Sequence, residues 1–365
     1  MEKKTKIILA VLAVIVIAAV AIVFLAPSTN VDTNGNVNIT DMANRTVEVP
    51  ANIEKVVSTR PSVTWLIYML APDKLAGINS EWRNNELEYI PDQYKNLPVV
   101  GQWNGKNDAS YEEFMSVNPD VVIQDIRGDG SDLDIVEERQ KNFADIPVVA
   151  TLDTVELDKV SDTITFLGKL LDAEDKADKL NSFNDKYLTL AKDTSSKIPE
   201  NEKKTVYFAR SENGLNTAGP ESSHAQLISI VGGKNVAEAA GANDKDFSVS
   251  IEEVVKWNPD VIISTDPDFY AKVYKDPSWA SIKAVKNHEV YLAPSSPANW
   301  FDMPPGVNTI IGVPWTAKVI YPDKYTDIDL ISATTEFYKE FYHFDLTNDQ
   351  AKQMLLDSGL KENQL

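Results

Sequence analysis

Apolar residues along this chain fall into short runs separated by stretches where they recur every three or four positions. The runs at 55–59, 75–79, 98–101, 120–124 and 146–150, and later at 205–209, 260–264 and 289–293, are bounded by polar or turn-forming residues. That pattern predicts buried strands alternating with amphipathic helices, an α/β chain. A weaker strand is predicted near 235–237. Between the two sets, Ala177, Leu180, Phe183, Tyr187, Leu188 and Ala191 share one helical face, which predicts a continuous helix over 175–196. Such a rod is about 33 Å long, enough to span two lobes.

A repeat relates the two halves. Residues 110–123, SYEEFMSVNPDVVI, recur at 250–263 as SIEEVVKWNPDVII, with 8 matches in 14 aligned positions. Ser110 and Ser250 read as N-caps, with Glu113 and Glu253 three residues on as partners in capping boxes. Asn118-Pro119 and Asn258-Pro259 end each helix, because the residue before proline avoids the helical region. The same unit of helix, stop and buried strand implies two similar lobes.

The start of the chain has a different character. Lys3, Lys4 and Lys6 precede an uncharged apolar run over 7–26. Twenty helical residues cover one hydrocarbon core, so the run predicts an uncleaved transmembrane anchor; a cleaved signal is the alternative. Both readings leave the remainder outside the membrane. The polar segment 27–38 reads as a stalk. The expected organisation is therefore anchor 1–26, stalk 27–38, first lobe 39–174, connecting helix 175–196 and second lobe 197–365. A formal charge of −20 excludes nucleic acid as a partner and favours a soluble monomer. With no cysteine there is no thiol chemistry, disulfide or lipid-modified cysteine tether.

Several segments resemble a known family. They are Asp41-Met-Ala-Asn-Arg-Thr-Val-Glu-Val-Pro50, the two Asn-Pro-Asp-Val motifs, Gly232-Gly-Lys-Asn-Val236, Trp279-Ala-Ser-Ile-Lys-Ala-Val285 and Gly312-Val-Pro-Trp-Thr-Ala-Lys-Val-Ile-Tyr-Pro322. In this order they resemble the ABC-importer substrate-binding proteins for iron complexes, cobalamin and haem. The resemblance covers about 39–350 and implies two Rossmann-like lobes joined by one long helix, with the ligand between them. It implies a small-molecule metal chelate as ligand, foremost a ferric siderophore-type complex, with corrinoid, haem or nickel and cobalt chelates as alternatives. Permease and ATPase subunits would be the protein partners, and no cofactor is implied. It also places Glu221 where the family docks a surface glutamate on permease arginines; Glu86, Glu88 and Asp92 are candidates for the first-lobe counterpart.

In open α/β sheets ligands sit beyond the carboxyl ends of the strands. Four of the six arginines, Arg60, Arg83, Arg127 and Arg210, follow predicted strands closely. Their planar forks suit carboxylates and other oxyanions. Trp82, Trp103, Tyr270 and Trp300 occupy similar loops and offer aromatic faces. His224, in the loop Gly219-Pro-Glu-Ser-Ser-His224, and Asp302 complete the expected ligand-binding set. The three histidines are too dispersed for a bare metal site, so any metal is expected to arrive chelated. The alternative class is a two-lobed metal chelatase. Against an enzyme, the sequence carries no Gly-x-Ser-x-Gly elbow, no phosphate-binding Gly-Lys-Ser/Thr loop and no His-Glu-x-x-His.

Overall fold

A computed structural model describes residues 35–103, 109–126, 132–242 and 245–365. The expected anchor and most of the stalk lie outside these residues. Among the described residues, no helix is long and apolar enough to cross a membrane.

Two parallel sheets form, one on each side of a long helix. In the first, β3 (Val56–Ser58), β4 (Val121–Ile126) and β5 (Val148–Leu152) lie side by side in that order. Parallel bridges Val56–Leu75 and Ile78–Val99 extend it, so the runs at 75–79 and 98–101 join the sheet as single bridges. In the second, the order is β11 (Val290–Leu292), β10 (Val261–Ser264), β6 (Thr205–Ala209) and β8 (Lys234–Asn235), all parallel. Two antiparallel pairs complete the strands. β1 (Asn36–Thr40) pairs with β2 (Thr46–Pro50), and β7 (Asn216–Ala218) pairs with β9 (Asp246–Ser248). The first pair corrects the stalk, whose last residues belong to a hairpin.

The repeat performs the same task in both sheets. Asp120 Oδ2 accepts from the backbone of Glu54 and Lys55 at 2.8 Å, and Asp260 Oδ2 accepts from Thr205 at 2.8 Å. Each Asn-Pro-Asp thus fastens a helix end to the start of the neighbouring central strand. Asn118 and Asn258 stop their helices in the left-handed region, with φ of 48° and 46°. The caps differ: Ser250 and Glu253 form the expected capping box, whereas Ser110 accepts from Glu112.

The connecting helix, here α2 to follow α1 (Pro61–Leu70), runs Glu174–Ser195. Its face of Ala177, Leu180, Phe183, Tyr187 and Ala191 is buried in a core that takes residues from both halves. A later helix, α3 (Leu330–Phe341), returns to that core: Phe183 lies 5.2 Å from Phe337. Beyond it, Tyr68 Oη donates to Tyr342 O at 3.0 Å, and His343 Nε2 meets Tyr68 O at 2.9 Å. The halves are therefore joined by a shared apolar core as well as by one helix.

Candidate functional site

The carboxyl ends of the strands in the second sheet open onto a cleft of about 900 Å³. Its far wall carries Arg83 and Asn85 from the first half. Its near wall carries Arg210 and Ser211 after β6, Thr217 on β7, Asp246 and Ser248 on β9, Thr265 after β10, and Ser295, Ser296, Asn299 and Met303 beyond β11. Asn85 Nδ2 reaches Ser295 O at 3.2 Å, so the walls touch at one point.

Arg210 is the centre of the near wall. Its backbone is held by Asn216 through two bonds, Arg210 N to Asn216 O at 2.8 Å and Asn216 N to Arg210 O at 3.3 Å. Three groups surround its guanidinium. Nε lies 3.0 Å from Asp302 Oδ2, Nη1 donates to Asp246 Oδ2 in a short bond, and Nη2 points at Met303 Sδ, 3.5 Å away. Asp302 is fully buried, while the side chain of Asp246 is 40% exposed. The Asp302 loop is itself fixed: Asn299 Oδ1 accepts from the backbone of Phe301 and Asp302 at 2.8 and 2.9 Å. Asp302 Oδ1 makes a second short bond, to His224 Nδ1, and His224 Nε2 lies 3.8 Å from Asp246 Oδ2. Burial works to lower the pKa of His224. The hydrogen bond to Asp302 and the charges of Asp302 and Asp246 outweigh it despite Arg210, and the imidazole is raised above its ordinary value. Arg210 and the imidazole of His224 thus face two carboxylates.

Asp125, at the end of β4, is the corresponding buried acid of the first sheet. Burial pushes its carboxyl up to about 6, against hydrogen bonds from Thr154 and Thr151 and the charge of Arg60. Thr154 Oγ1 donates to it at 2.8 Å, and Ser62 Oγ meets Thr154 Oγ1 at 3.2 Å.

The structure gathers Arg83, Arg210, His224 and Asp302 around or directly behind the cleft. Arg60 is exposed beside Asp125, and Arg127 lies outside the described residues. The aromatic expectations are corrected. Trp300 is fully buried in the shared core. Trp82 packs at 5.2 Å on Trp65 and donates to Tyr94 O. Trp103 stacks on Phe114 at 4.6 Å, with the Arg139 guanidinium over its own ring at 4.1 Å. Tyr270 is half-buried against the core of the second sheet. Each ring follows a strand as expected, but apolar area decided its place, and the described cleft lining contains no tryptophan.

Of the acidic docking candidates, Glu221 is exposed on the rim of a separate depression of about 320 Å³ with Glu200, Lys203 and Lys234. Glu86 is spent locally, accepting from Arg83 N at 2.6 Å in a capping box, and burial raises its pKa. Glu88 is exposed; Asp92 is exposed and pairs with Lys95 at 2.7 Å. Sequence reasoning missed Asp246, Thr217, Asn85, Ser295 and Ser296. Only the Pro294-Ser-Ser-Pro297 loop just past a strand carried a signal that could have pointed to the last two.

A family model described as periplasmic binding protein matches residues 56–297. A molybdate-binding protein of Haemophilus influenzae is 26% identical over 340 residues, covering 86% of this chain and 93% of its own length. An uncharacterised ABC transporter substrate-binding lipoprotein of Bacillus subtilis is 28% identical over 299 residues, covering 80% and 87%. Among solved structures, an ABC transporter solute binding protein from Sulfurospirillum deleyianum matches with a TM-score of 0.77 and 27% identity, covering 87% of this chain and 98% of that one.

Proposed function

The chain belongs to the periplasmic binding protein family, and we propose that it captures a hydrophilic, negatively charged metal complex for an ABC importer on the outer side of the membrane. The two sheets with their helices act as lobes, and the shared core limits their relative motion to a small closure. The carrying observation is the lining of the cleft: arginines on both walls, with hydroxyls and amides between them. Such groups bind oxygen-rich surfaces through charge-assisted hydrogen bonds. A volume near 900 Å³ falls within the range of about 300–1,000 Å³ that holds drug-sized ligands, which favours a ferric chelate with exposed oxygens. A second reading, a bare oxometalate, is favoured by the likeness to the molybdate-binding protein. The polar lining does not favour a flat tetrapyrrole.

The far wall provides the test. The Arg83 side chain is 73% exposed and meets Glu86 only at 3.9 Å, leaving its fork available to a ligand. Calorimetric titration of the purified chain with ferric citrate, sodium molybdate and hexaamminecobalt(III) should show binding of an anionic probe alone. Arg83→Ala should weaken that binding at least about tenfold, the effect of losing one hydrogen bond to a charged group. Binding of the cation, or anion binding indifferent to Arg83→Ala, would contradict the proposal.

A further inference from the structure

The guanidinium of Arg210 is contacted from two opposite sides, and the two sides differ in burial. From behind, fully buried Asp302 forms an ion pair with Nε through Oδ2, which makes no hydrogen bond among the described residues, and holds His224 through Oδ1. From the cleft, the exposed groups Asp246 and Met303 cover Nη1 and Nη2. The Nη1–Nη2 edge is one of those that match two oxygens of a carboxylate or oxyanion, and with Nε turned to Asp302 it is the edge that faces the cleft. Asp246 Oδ2 lies on that edge and also 3.8 Å from His224 Nε2, where an incoming anionic oxygen would meet both Arg210 and His224. Met303 Sδ fills the second place on the edge with a weak acceptor, on a side chain that is among the exposed large apolar groups at 54%. On the neighbouring strand β7, Thr217 Oγ1 is buried and has no hydrogen-bond partner among the described residues, but its register opposite Phe247 turns it to the other face from Asp246.

We infer that Asp246 is a built-in stand-in for the anionic group of the ligand, and that a carboxylate or oxyanion binds by displacing it, with Met303, from the Nη1–Nη2 edge of Arg210. Asp302 is then a positioning residue, keeping Arg210 and His224 aimed at the cleft. This rests on the proposed binding of an anionic complex and adds the position and mode of its recognition. Two carboxylates on the same arginine thereby have opposite effects on affinity. Removing the charge of Asp246 removes a competitor; removing that of Asp302 removes the support. Asp246 Oδ1 also accepts from the buried Ser222 Oγ at 3.3 Å, a bond that an asparagine can keep.

The test is calorimetric titration of the full chain with ferric citrate and with sodium molybdate, comparing the wild type with Asp246→Asn, Met303→Ala and Asp302→Asn. Asp246→Asn should bind the better probe about tenfold or more tightly, and Met303→Ala should not weaken it. Asp302→Asn should weaken it about tenfold or more. Because a buried substitution can impair folding, the decisive arm is the exposed Asp246→Asn, checked by an unchanged circular dichroism spectrum. Equal or weaker anion binding by Asp246→Asn would overturn the inference. So would the failure of both probes to bind wild type and Asp246→Asn alike. Tighter binding that ignores Arg83→Ala would instead keep the stand-in and remove the far wall from the proposed function.

Discussion

Among single residues, Asp125 gives the clearest linkage between burial and charge. Its folded-state pKa of about 6 lies above the ordinary value of 3.8, so the folded protein holds this proton more tightly than the unfolded chain. Its contribution to stability is complete below the unfolded value and is lost as pH rises through about 6. The loss amounts to at most about 3 kcal/mol, since one pKa unit is about 1.4 kcal/mol. Other carboxylates, such as Glu340 beside Lys179 and Lys176, are lowered and act in the opposite direction. The difference between wild type and Asp125→Asn isolates the effect. In urea unfolding, Asp125→Asn should gain on the wild type between about pH 4 and about pH 7. An identical difference at both pH values would show that Asp125 ionises freely. This residue gave no sign in the sequence, because its surroundings include Thr151 on the next strand and Thr154 in the loop after it.

At the scale of elements, periodicity and turn chemistry were legible and long-range pairing was not. The strand at Thr205–Ala209 and the helix at Glu174–Ser195 emerge nearly as expected, because each is set by local apolar spacing. The capping box at Ser250 is equally local. The two antiparallel pairs were missed, since each strand is short and polar and needs its partner to be recognised. Asp246 was missed with them: it lies in the polar stretch before the second repeat, and only the pairing of β7 with β9 brings it to Arg210. Arg210 and Asp302 could be anticipated because both follow strands. The aromatic rings obeyed the same rule yet went into cores, as position after a strand does not say which way a side chain turns. Where the connecting helix meets its neighbour, a close approach can be tested. A Cβ on Gly168, in the helix Ser161–Leu170, would stand 2.4 Å from Ala177 Cβ. Gly168→Ala should therefore cost about 1–3 kcal/mol in denaturant unfolding, and adding Ala177→Gly should restore part of it. A Gly168→Ala protein as stable as the wild type would mean that these helices separate easily.

For the whole molecule, a net charge of −20 has to coexist with the proposed capture of an anion. At a range beyond about 10 Å salt screens the surface, and inside the cleft the local charges decide. Arg83 and Arg210 stand against Asp246, Asp266 and the buried Asp302, so the proposed anion binding rests on where the two arginine forks are aimed rather than on a positive sum. The repeat and the family resemblance made this two-sided arrangement legible before the structure; the charge balance was not, because it depends on residues from four separate segments. We propose that delivery to the permease uses a separate surface. Glu221 lies on the outer rim of the second half, and a rim charge governs encounter with a partner more than affinity in a distant cleft. The most direct measurement is uptake of radiolabelled iron as a chelate by cells lacking this chain and complemented with wild type, Arg83→Ala or Glu221→Arg. The account predicts that the deletion abolishes high-affinity uptake and only wild type restores it. It further predicts that purified Glu221→Arg keeps its chelate affinity within about threefold, whereas Arg83→Ala does not. Undiminished uptake of the chelate in the deletion, or full uptake with both variants, would contradict it.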